Sequence, residues 1–128
     1  MSNLGSTLWQ QLLVDNELMD SARQVLAGSD YVTQWGERHP ERAAELIASR
    51  DLFCVYDAEN YSLSLAKRLI NVADEVALHQ QLRYFRQREM VRIIWRDLAG
   101  WANLAETVAD LSALADACIQ QSVNVLHQ

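Results

Sequence analysis

The feature of this sequence that most restricts its fold is the scarcity of turn-forming residues. Only four glycines and one proline occur among 128 residues. An all-β domain needs many tight turns, and glycine and proline supply most of them. The sequence therefore predicts an all-α fold, a bundle of several helices joined by short connections. We find no internal repeat and no linker long enough to divide the chain, so we expect a single helical domain over residues 1–128.

Capping and stop signals place the helices of the first half. The first predicted helix is opened by Ser6 and carries Leu8, Trp9, Leu12 and Leu13; the second covers 17–27 and stops at Gly28. Ser29 caps the third, and Pro40 is the first residue of the fourth, which ends near Ser49. Asp57 opens the fifth, whose apolar face consists of Tyr61, Leu65, Ala66, Leu69 and Ala73. The run 52–56 has the composition of a strand. Because no second strand is predicted to pair with it, we expect an apolar loop there.

The second half predicts a long helix that begins at the cap Asp74 and ends at Ala99, before Gly100. Near its start Leu78, Leu82 and Phe85 share one face, whereas Met90, Val91, Ile94, Trp95 and Leu98 lie on nearly the opposite one. A helix buried on different sides along its length is expected to be central. The sequence also indicates that Trp95 and Trp101 anchor the core.

A further helix is predicted after Asn103 and Glu106, which have the spacing of a capping box. Its candidate packing seam consists of Leu104, Val108, Leu111, Ala115, Cys118 and Val125, with Ser122 between them. We therefore expect the long helix and the last helix to form an antiparallel hairpin.

The charge balance narrows the possible partners. Eleven basic against seventeen acidic residues give a net charge of −6, which repels phosphate backbones, so we expect no nucleic-acid partner. No stretch approaches the roughly eighteen apolar residues of a membrane helix, and the amino terminus lacks the basic and apolar segments of a signal peptide. Cys54 and Cys118 lack metal-ligand spacing and are expected to be buried free thiols, which favours a reducing compartment. We expect a cytoplasmic protein with no membrane partner.

Residue patterns that carry chemistry are weak in this chain. His39, His79 and His127 are scattered and have no HxxxH or CxxC companion, so no metal site is predicted. The residues 28–30 resemble the Gly-Ser start of a nucleotidyltransferase signature but lack the Asp-x-Asp pair that holds metal ions, and a helix stop followed by a helix cap explains them better. Each cysteine lies in an apolar context where a thiol is usually inert. The sequence predicts no catalytic, cofactor-binding or metal-binding residue.

The densest charged feature is a set of five arginines on the long helix, namely Arg83, Arg86, Arg88, Arg92 and Arg96. The last three are four residues apart and form one row. Guanidinium groups bind carboxylates or phosphates through two hydrogen bonds, so this row is the candidate contact with a ligand, a partner or another domain. The alternative is a structural row that pairs with Glu89, Asp97, Glu106 or Asp110, and we favour that alternative because surface ion pairs are common.

The segment LRYFRQREMVRIIWRDLAGWANLAETVADLSALADACI, over 82–119, contains a basic helix followed by an ETxxxLSxLADxxI pattern. It resembles the amino-terminal helical region of the bifunctional glutamine synthetase adenylyltransferase and adenylyl-removing enzyme. The resemblance is specific over 82–119. It is looser over 17–73, where SDYVTQWGERHPE resembles an early segment of the family.

The resemblance implies that this chain is the non-catalytic amino-terminal fragment of a much larger protein. That protein would use ATP and magnesium in two nucleotidyltransferase domains, one adding AMP to glutamine synthetase and one removing it by phosphorolysis. Their Gly-Ser and Asp-x-Asp elements would lie outside this chain, which would contain no cofactor and would pack beside the adenylyl-removing domain. Expected partners are the rest of the polypeptide and, through it, glutamine synthetase and a PII-type signalling protein in the regulation of nitrogen assimilation.

Two alternatives remain from the residues alone. One is a stand-alone helical protein-interaction module that binds through an exposed apolar groove. The other is a small helical-bundle enzyme of chorismate-mutase type, which would need arginines and a lysine to converge from several helices. Lys67 is the only lysine of the chain, and the arginines concentrate on one helix, which disfavours the enzyme.

Overall fold

A computed structural model describes Trp9 and residues 16–126 of the chain. The described residues form six α-helices and one short 3-10 turn, with no strand among them. The helices are α1 (Asn16–Gly28), α2 (Asp30–Arg38), α3 (Pro40–Ser49), α4 (Ala58–Leu69), α5 (Glu75–Leu98) and α6 (Leu104–Leu126), and the 3-10 turn is Asp51–Phe53. The predicted all-α fold is confirmed. Of the predicted helix opened by Ser6, only Trp9 lies within the described residues, and its side chain is buried.

The predicted helix boundaries are confirmed at most of their caps. In each of four caps a side-chain oxygen accepts a hydrogen bond, of 2.8 to 3.1 Å, from the backbone N–H three residues later; these caps are Ser29, Asp57, Asp74 and Asn103. Pro40 is the first residue of α3, and Gly100 has a φ of +79° just after α5, a conformation that glycine adopts without strain. The predicted apolar face of α4 is wrong in its last residue: the helix ends at Leu69, and Ala73, one turn further on, is exposed.

Two hydrophobic cores lie along α5. The first packs the carboxyl-terminal half of α5 against α1, α2 and α3, and its buried members include Trp9, Val25, Trp35, Leu46 and Trp95. The second packs the amino-terminal half against α4 and α6, and its buried members include Tyr61, Leu65, Leu78, Phe85 and Leu114. The prediction of a central helix buried on different sides along its length is therefore confirmed.

Met90 lies in a different core from the one predicted. It was grouped with Val91 and Trp95, but it packs against the second core together with Ile93. Residues 90–93 are the turn where α5 passes from one core to the other, so neighbouring side chains there point into different cores. Trp101 is half-buried and stacks on Phe53 at a ring-centroid distance of 5.0 Å beside the first core.

The side of α6 that packs on the domain is not the predicted seam. Leu104, Val108 and Leu111 are 77%, 53% and 39% exposed, and Ala115 is also exposed. The buried residues are instead Asp110, Leu114 and Ala117, with Cys118 half-buried against the second core; the side chain of Val125 lies outside the described residues. Apolar residues occur on both sides of α6, so their spacing alone does not determine which side packs inward.

The last two helices form the predicted antiparallel hairpin. The Thr107 hydroxyl, one turn into α6, donates to Asp97 Oδ1 near the end of α5 at 3.1 Å. Further along the pair, Leu114 of α6 shares the second core with Phe85 of α5. Helix α4 packs on α6 as well, through hydrogen bonds from Tyr61 Oη to Asp110 and from Gln121 Nε2 to Ser62.

Both cysteines are free thiols, but Cys54 is exposed and Cys118 is half-buried. The expectation of a buried thiol is thus wrong for Cys54. The run 52–56 forms the predicted loop around the 3-10 turn, and this loop buries Leu52 while Cys54 lies on its outer side. Within the described part of the chain, no helix has the length and apolar character needed to cross a bilayer.

Candidate functional site

The three arginines of the predicted row lie inside the domain. Arg88, Arg92 and Arg96 are 7%, 0% and 5% exposed, and they follow one another along the middle and last turns of α5. A buried guanidinium needs both a counter-charge and hydrogen-bond acceptors, since its desolvation is costly. The same chain supplies both to Arg88 and Arg92, whereas Arg96 donates to an uncharged acceptor, the Leu52 carbonyl.

Arg88 is bound by carboxylates from three different parts of the chain. Its Nε and Nη2 donate to the two oxygens of Glu45 on α3, at 2.8 and 2.9 Å, in a bidentate pair. Its Nη2 also reaches Asp51 in the 3-10 turn at 2.7 Å, and its Nη1 reaches Glu89 at 2.9 Å. Burial by itself lowers the pKa of Arg88, but hydrogen bonds from the guanidinium to Glu45 and Asp51 outweigh it and raise that pKa. Arg88 therefore remains charged and fixes α3 and the 3-10 turn on α5.

Glu89 and Arg92 form a fully buried ion pair. Arg92 Nε donates to Glu89 Oε1 at 2.9 Å, and the two side chains are 0% and 1% exposed. A second nitrogen of Arg92 donates to the Tyr61 hydroxyl, which in turn donates to Asp110 Oδ1 at 2.9 Å. The network thus continues from α5 through α4 to α6. We refer to Glu45, Asp51, Tyr61, Arg88, Glu89, Arg92 and Asp110 as the arginine network.

Burial is the largest influence on the tyrosines around this network. It raises the pKa of Tyr61, although the charge of Arg92 opposes the shift, so the hydroxyl remains protonated and able to donate to Asp110. It also raises the pKa of Tyr56 to about 12, and the ring of that residue lies beneath the Arg92 guanidinium at 3.8 Å from its centroid. The hydroxyls of Tyr56 and Tyr61 therefore both stay protonated near neutral pH.

Two arginines also hold the 3-10 turn and the residue that follows it. Arg92 Nη1 donates to the Cys54 carbonyl at 2.8 Å, and Arg96 Nη1 donates to the Leu52 carbonyl at 2.9 Å. Carbonyls in an irregular segment have no helical partner, so they need a donor wherever they are buried. The row therefore fastens the loop 50–56 to the centre of the domain.

The structural alternative predicted for the row is the arrangement found, with partly different partners. Glu89 was predicted as a partner, whereas Glu45 and Asp51 were not. Asp97 accepts from Thr107, and Asp110 accepts from Tyr61, which links it to the row indirectly. Glu45 and Asp51 precede Arg88 by about forty residues, and no local spacing could have identified them.

The other candidate residues remain apart. No group of three or more histidine, cysteine or acidic side chains that could hold a metal ion occurs among the described residues. His39 lies between α2 and α3, His79 is exposed on α5, and His127 is outside the described range. Gly28 ends α1 and Ser29 caps α2, which confirms the reading of residues 28–30 as a helix stop and a helix cap.

A second feature with functional character is the solvent-facing side of α6. We call it the α6 outward face and define it by Leu104, Val108, Leu111, Ala115, Ile119 and Val123, all of which are exposed. Ile119 and Val123 are 66% and 50% exposed. These residues follow the helical spacing of a packed seam, yet no other described part of the chain buries them. Leu104, Val108, Leu111 and Ala115 belong to the seam that the sequence predicts to pack on a neighbouring helix, whereas Ile119 and Val123 do not.

Comparison with known proteins identifies the family. Residues 19–128 match the family model of glutamate-ammonia ligase adenylyltransferase. A protein of Nitrosococcus oceani is 46% identical over 80% of this chain, and one of Pseudomonas aeruginosa is 42% identical over 88%; both are named bifunctional glutamine synthetase adenylyltransferase/adenylyl-removing enzyme. The chain spans only 11% of the length of each of these relatives.

A protein of Thioalkalivibrio sulfidiphilus with the same name is 39% identical over 81% of this chain and is likewise matched over only 11% of its own length. No solved structure matches the chain. The family match covers all six helices except the first three residues of α1, so it includes the arginine network, the second core and all of the first core except Trp9 and Leu18. The chain therefore belongs to the glutamate-ammonia ligase adenylyltransferase family.

Proposed function

We propose that this chain is a non-catalytic, amino-terminal helical segment of an enzyme that adenylylates and deadenylylates glutamine synthetase. The observation that carries the proposal is the continuous family match over 19–128, combined with relatives of which the chain spans only about a tenth. Those relatives are named for two opposing activities. A helical segment of this size would contribute to such an enzyme by positioning its catalytic domains.

In this proposal the segment packs beside the adenylyl-removing domain of the same polypeptide. The α6 outward face supports such packing, because a run of exposed apolar side chains is typical of a surface that is covered in the complete assembly. ATP and magnesium would bind elsewhere in the polypeptide. Glutamine synthetase and a PII-type signalling protein would be partners of the whole enzyme, which would act in the cytoplasm to regulate nitrogen assimilation.

The predicted contact through Arg88, Arg92 and Arg96 becomes an indirect one in this proposal. Their guanidinium groups are occupied by the arginine network and by two loop carbonyls, so they would support the shape of the segment. A partner that approaches this region would meet Glu45, whose side chain is 53% exposed, before it met any of the arginines. The row would thus act by holding α3, α4 and the loop 50–56 in place.

A stand-alone interaction module is the second candidate, and the same α6 outward face favours it. An enzyme of chorismate-mutase type fits the geometry less well, because its ligand would need free guanidinium groups. In this chain the buried Arg88 and Arg92 are already paired with Glu45, Asp51 and Glu89, and Arg96 donates to the Leu52 carbonyl.

The size of the natural protein separates the two leading candidates. An antibody raised against this chain should detect, in extracts of the source cells, a polypeptide several times heavier than 14.6 kDa. That polypeptide, once purified, should transfer AMP from ATP to glutamine synthetase and remove it in the presence of phosphate, whereas the 128-residue chain alone should do neither. A natural product of 14.6 kDa would refute the proposed function and leave the interaction module.

A further inference from the structure

The α6 outward face combines an apolar surface with an unusual distribution of charge. Over 104–124 Asp116 is the only exposed charged residue; Glu106, at the start of the helix, is partly exposed and lies on the same side as the buried Asp110 and Ala117. No lysine or arginine follows Arg96 in the sequence. The outer side of a surface helix normally carries residues of both charges, since water is its only contact. This face therefore has the composition of an interface, and the charged residue that flanks it, Asp116, is acidic.

The spacing of the apolar residues indicates what kind of element covers them. Leu104, Val108, Leu111, Ala115 and Ile119 are separated by four, three, four and four residues, which places them in one stripe along the helix. Such a stripe accepts the side chains of a second helix that crosses it at a shallow angle. A flat or irregular partner would not use this periodicity along the whole length of α6.

We propose that the α6 outward face is the docking site for a helix supplied by the rest of the polypeptide, one with an apolar ridge and basic residues on its flanks. The inference rests on the proposed function, which places this chain in a longer protein. The chain spans 11% of the length of the relatives from Nitrosococcus oceani and Pseudomonas aeruginosa, so most of such a polypeptide is outside this structure and available to cover the face. The carboxylate of Asp116, which flanks the stripe, selects basic flanks on the partner.

A second copy of the chain fits this face poorly. Asp116 lies near the middle of the stripe from Leu104 to Val123. In an antiparallel pair of α6 helices, Asp116 of one copy would lie on the same flank as Asp116 of the other and close to it. Like charges at these positions destabilise an interface, and each copy also carries a net charge of −6.

Cysteine labelling tests the proposal with a matched pair of substitutions. Val108→Cys places a thiol on the α6 outward face, and Val76→Cys places one at the start of α5, where valine is 76% exposed. Peptide mass spectrometry separates the new thiols from Cys54 and Cys118. In the purified 128-residue chain both engineered thiols should react with a maleimide at similar rates.

In the natural polypeptide that contains this chain, the thiol at 108 should react roughly tenfold or more slowly, because an interface residue is labelled only when the interface opens. The thiol at 76 should keep its rate. Adding Asp116→Lys should restore much of the reactivity at 108, since a lysine would repel basic flanks. Equal reactivity at 108 in the isolated chain and in the natural polypeptide would overturn the proposal. Protection at 108 that appears in the isolated chain as its concentration rises would also overturn it, because the occupant of the face would then be a second copy.

The outcome is separable from that of the proposed function. The same preparation is assayed for AMP transfer to glutamine synthetase and for its phosphorolytic removal. Activity without protection at 108 would refute the docking site and leave the proposed function intact. Protection at 108 in a large polypeptide that lacks both activities would support the docking site and refute the proposed function.

Discussion

The ion pair between Glu89 and Arg92 gives the sharpest prediction for stability. Glu89 is 1% exposed and accepts hydrogen bonds of 2.9 Å from both Arg88 and Arg92. In Glu89→Ala, Arg88 keeps its two other carboxylates, Glu45 and Asp51. Arg92 keeps the Cys54 carbonyl and the Tyr61 hydroxyl, both of which are uncharged. The substitution therefore leaves one fully buried cation without a counter-charge.

The loss of stability expected for Glu89→Ala follows from this uncompensated charge. Breaking a buried ion pair by removing one partner destabilises a protein by about 3 to 5 kcal/mol. A domain of this size is stable by about 5 to 15 kcal/mol, so the variant should lose a large share of its free energy of unfolding. Glu45→Ala is the matched control because it removes a carboxylate that also binds Arg88 but is 53% exposed. That control should lose no more than about 1 kcal/mol.

Urea unfolding, followed by helical circular dichroism and by tryptophan fluorescence, measures both variants on the 128-residue chain. The expected result is a much lower urea midpoint for Glu89→Ala with a nearly unchanged midpoint for Glu45→Ala. If the two variants differ by less than about 1 kcal/mol, the charge of Arg92 is compensated in another way and the reasoning from burial is refuted.

Three further substitutions test other parts of the fold, each by urea unfolding of the same chain. Trp95→Ala empties a fully buried site beside Trp9 and should cost about 3 to 5 kcal/mol; full stability would contradict the first core as described. Gly36→Ala places a methyl group 2.4 Å from the indole of Trp9 and should cost about 1 to 3 kcal/mol, whereas a neutral effect would show that Trp9 packs elsewhere. Burial raises the pKa of Asp51, but hydrogen bonding and attraction to Arg88 outweigh burial and hold that pKa below its usual value. The ionised Asp51 therefore stabilises the fold above about pH 4, and this contribution is lost as the pH falls further. Asp51→Asn should flatten the loss of stability on acidification, and an unchanged pH profile would contradict that role.

The sequence predicted those parts of the fold that depend on local interactions. A cap such as Asp57 or Asp74 bonds to a backbone N–H three residues away, so the residues that decide it are adjacent in the sequence. The same holds for Gly100, whose positive φ ends α5. The change of buried face along α5 was also readable, because each half of that helix has its own apolar stripe.

The sequence could not predict which of two apolar sides α6 turns inward. The buried side carries Asp110, a residue that hydropathy alone places outside. It is accepted there because the Tyr61 hydroxyl, forty-nine positions earlier in the chain, donates to its carboxylate. Such a pair stabilises a helix orientation through contacts that no periodicity within α6 contains.

The arginine row is buried for a physical reason, which lies in the loop between α3 and α4. Between α3 and α4 the chain crosses the middle of α5 as an irregular loop, and the carbonyls of Leu52 and Cys54 need donors there. The long, permanently charged side chains of Arg92 and Arg96 reach these carbonyls, and Arg88 binds carboxylates on the neighbouring elements. The hydrogen-bonding groups of these arginines are therefore occupied by contacts that join the two cores. Among the described residues the clearest uncovered feature is then the apolar side of α6, and a partner that approaches the domain should be selected there by shape and by its own basic residues.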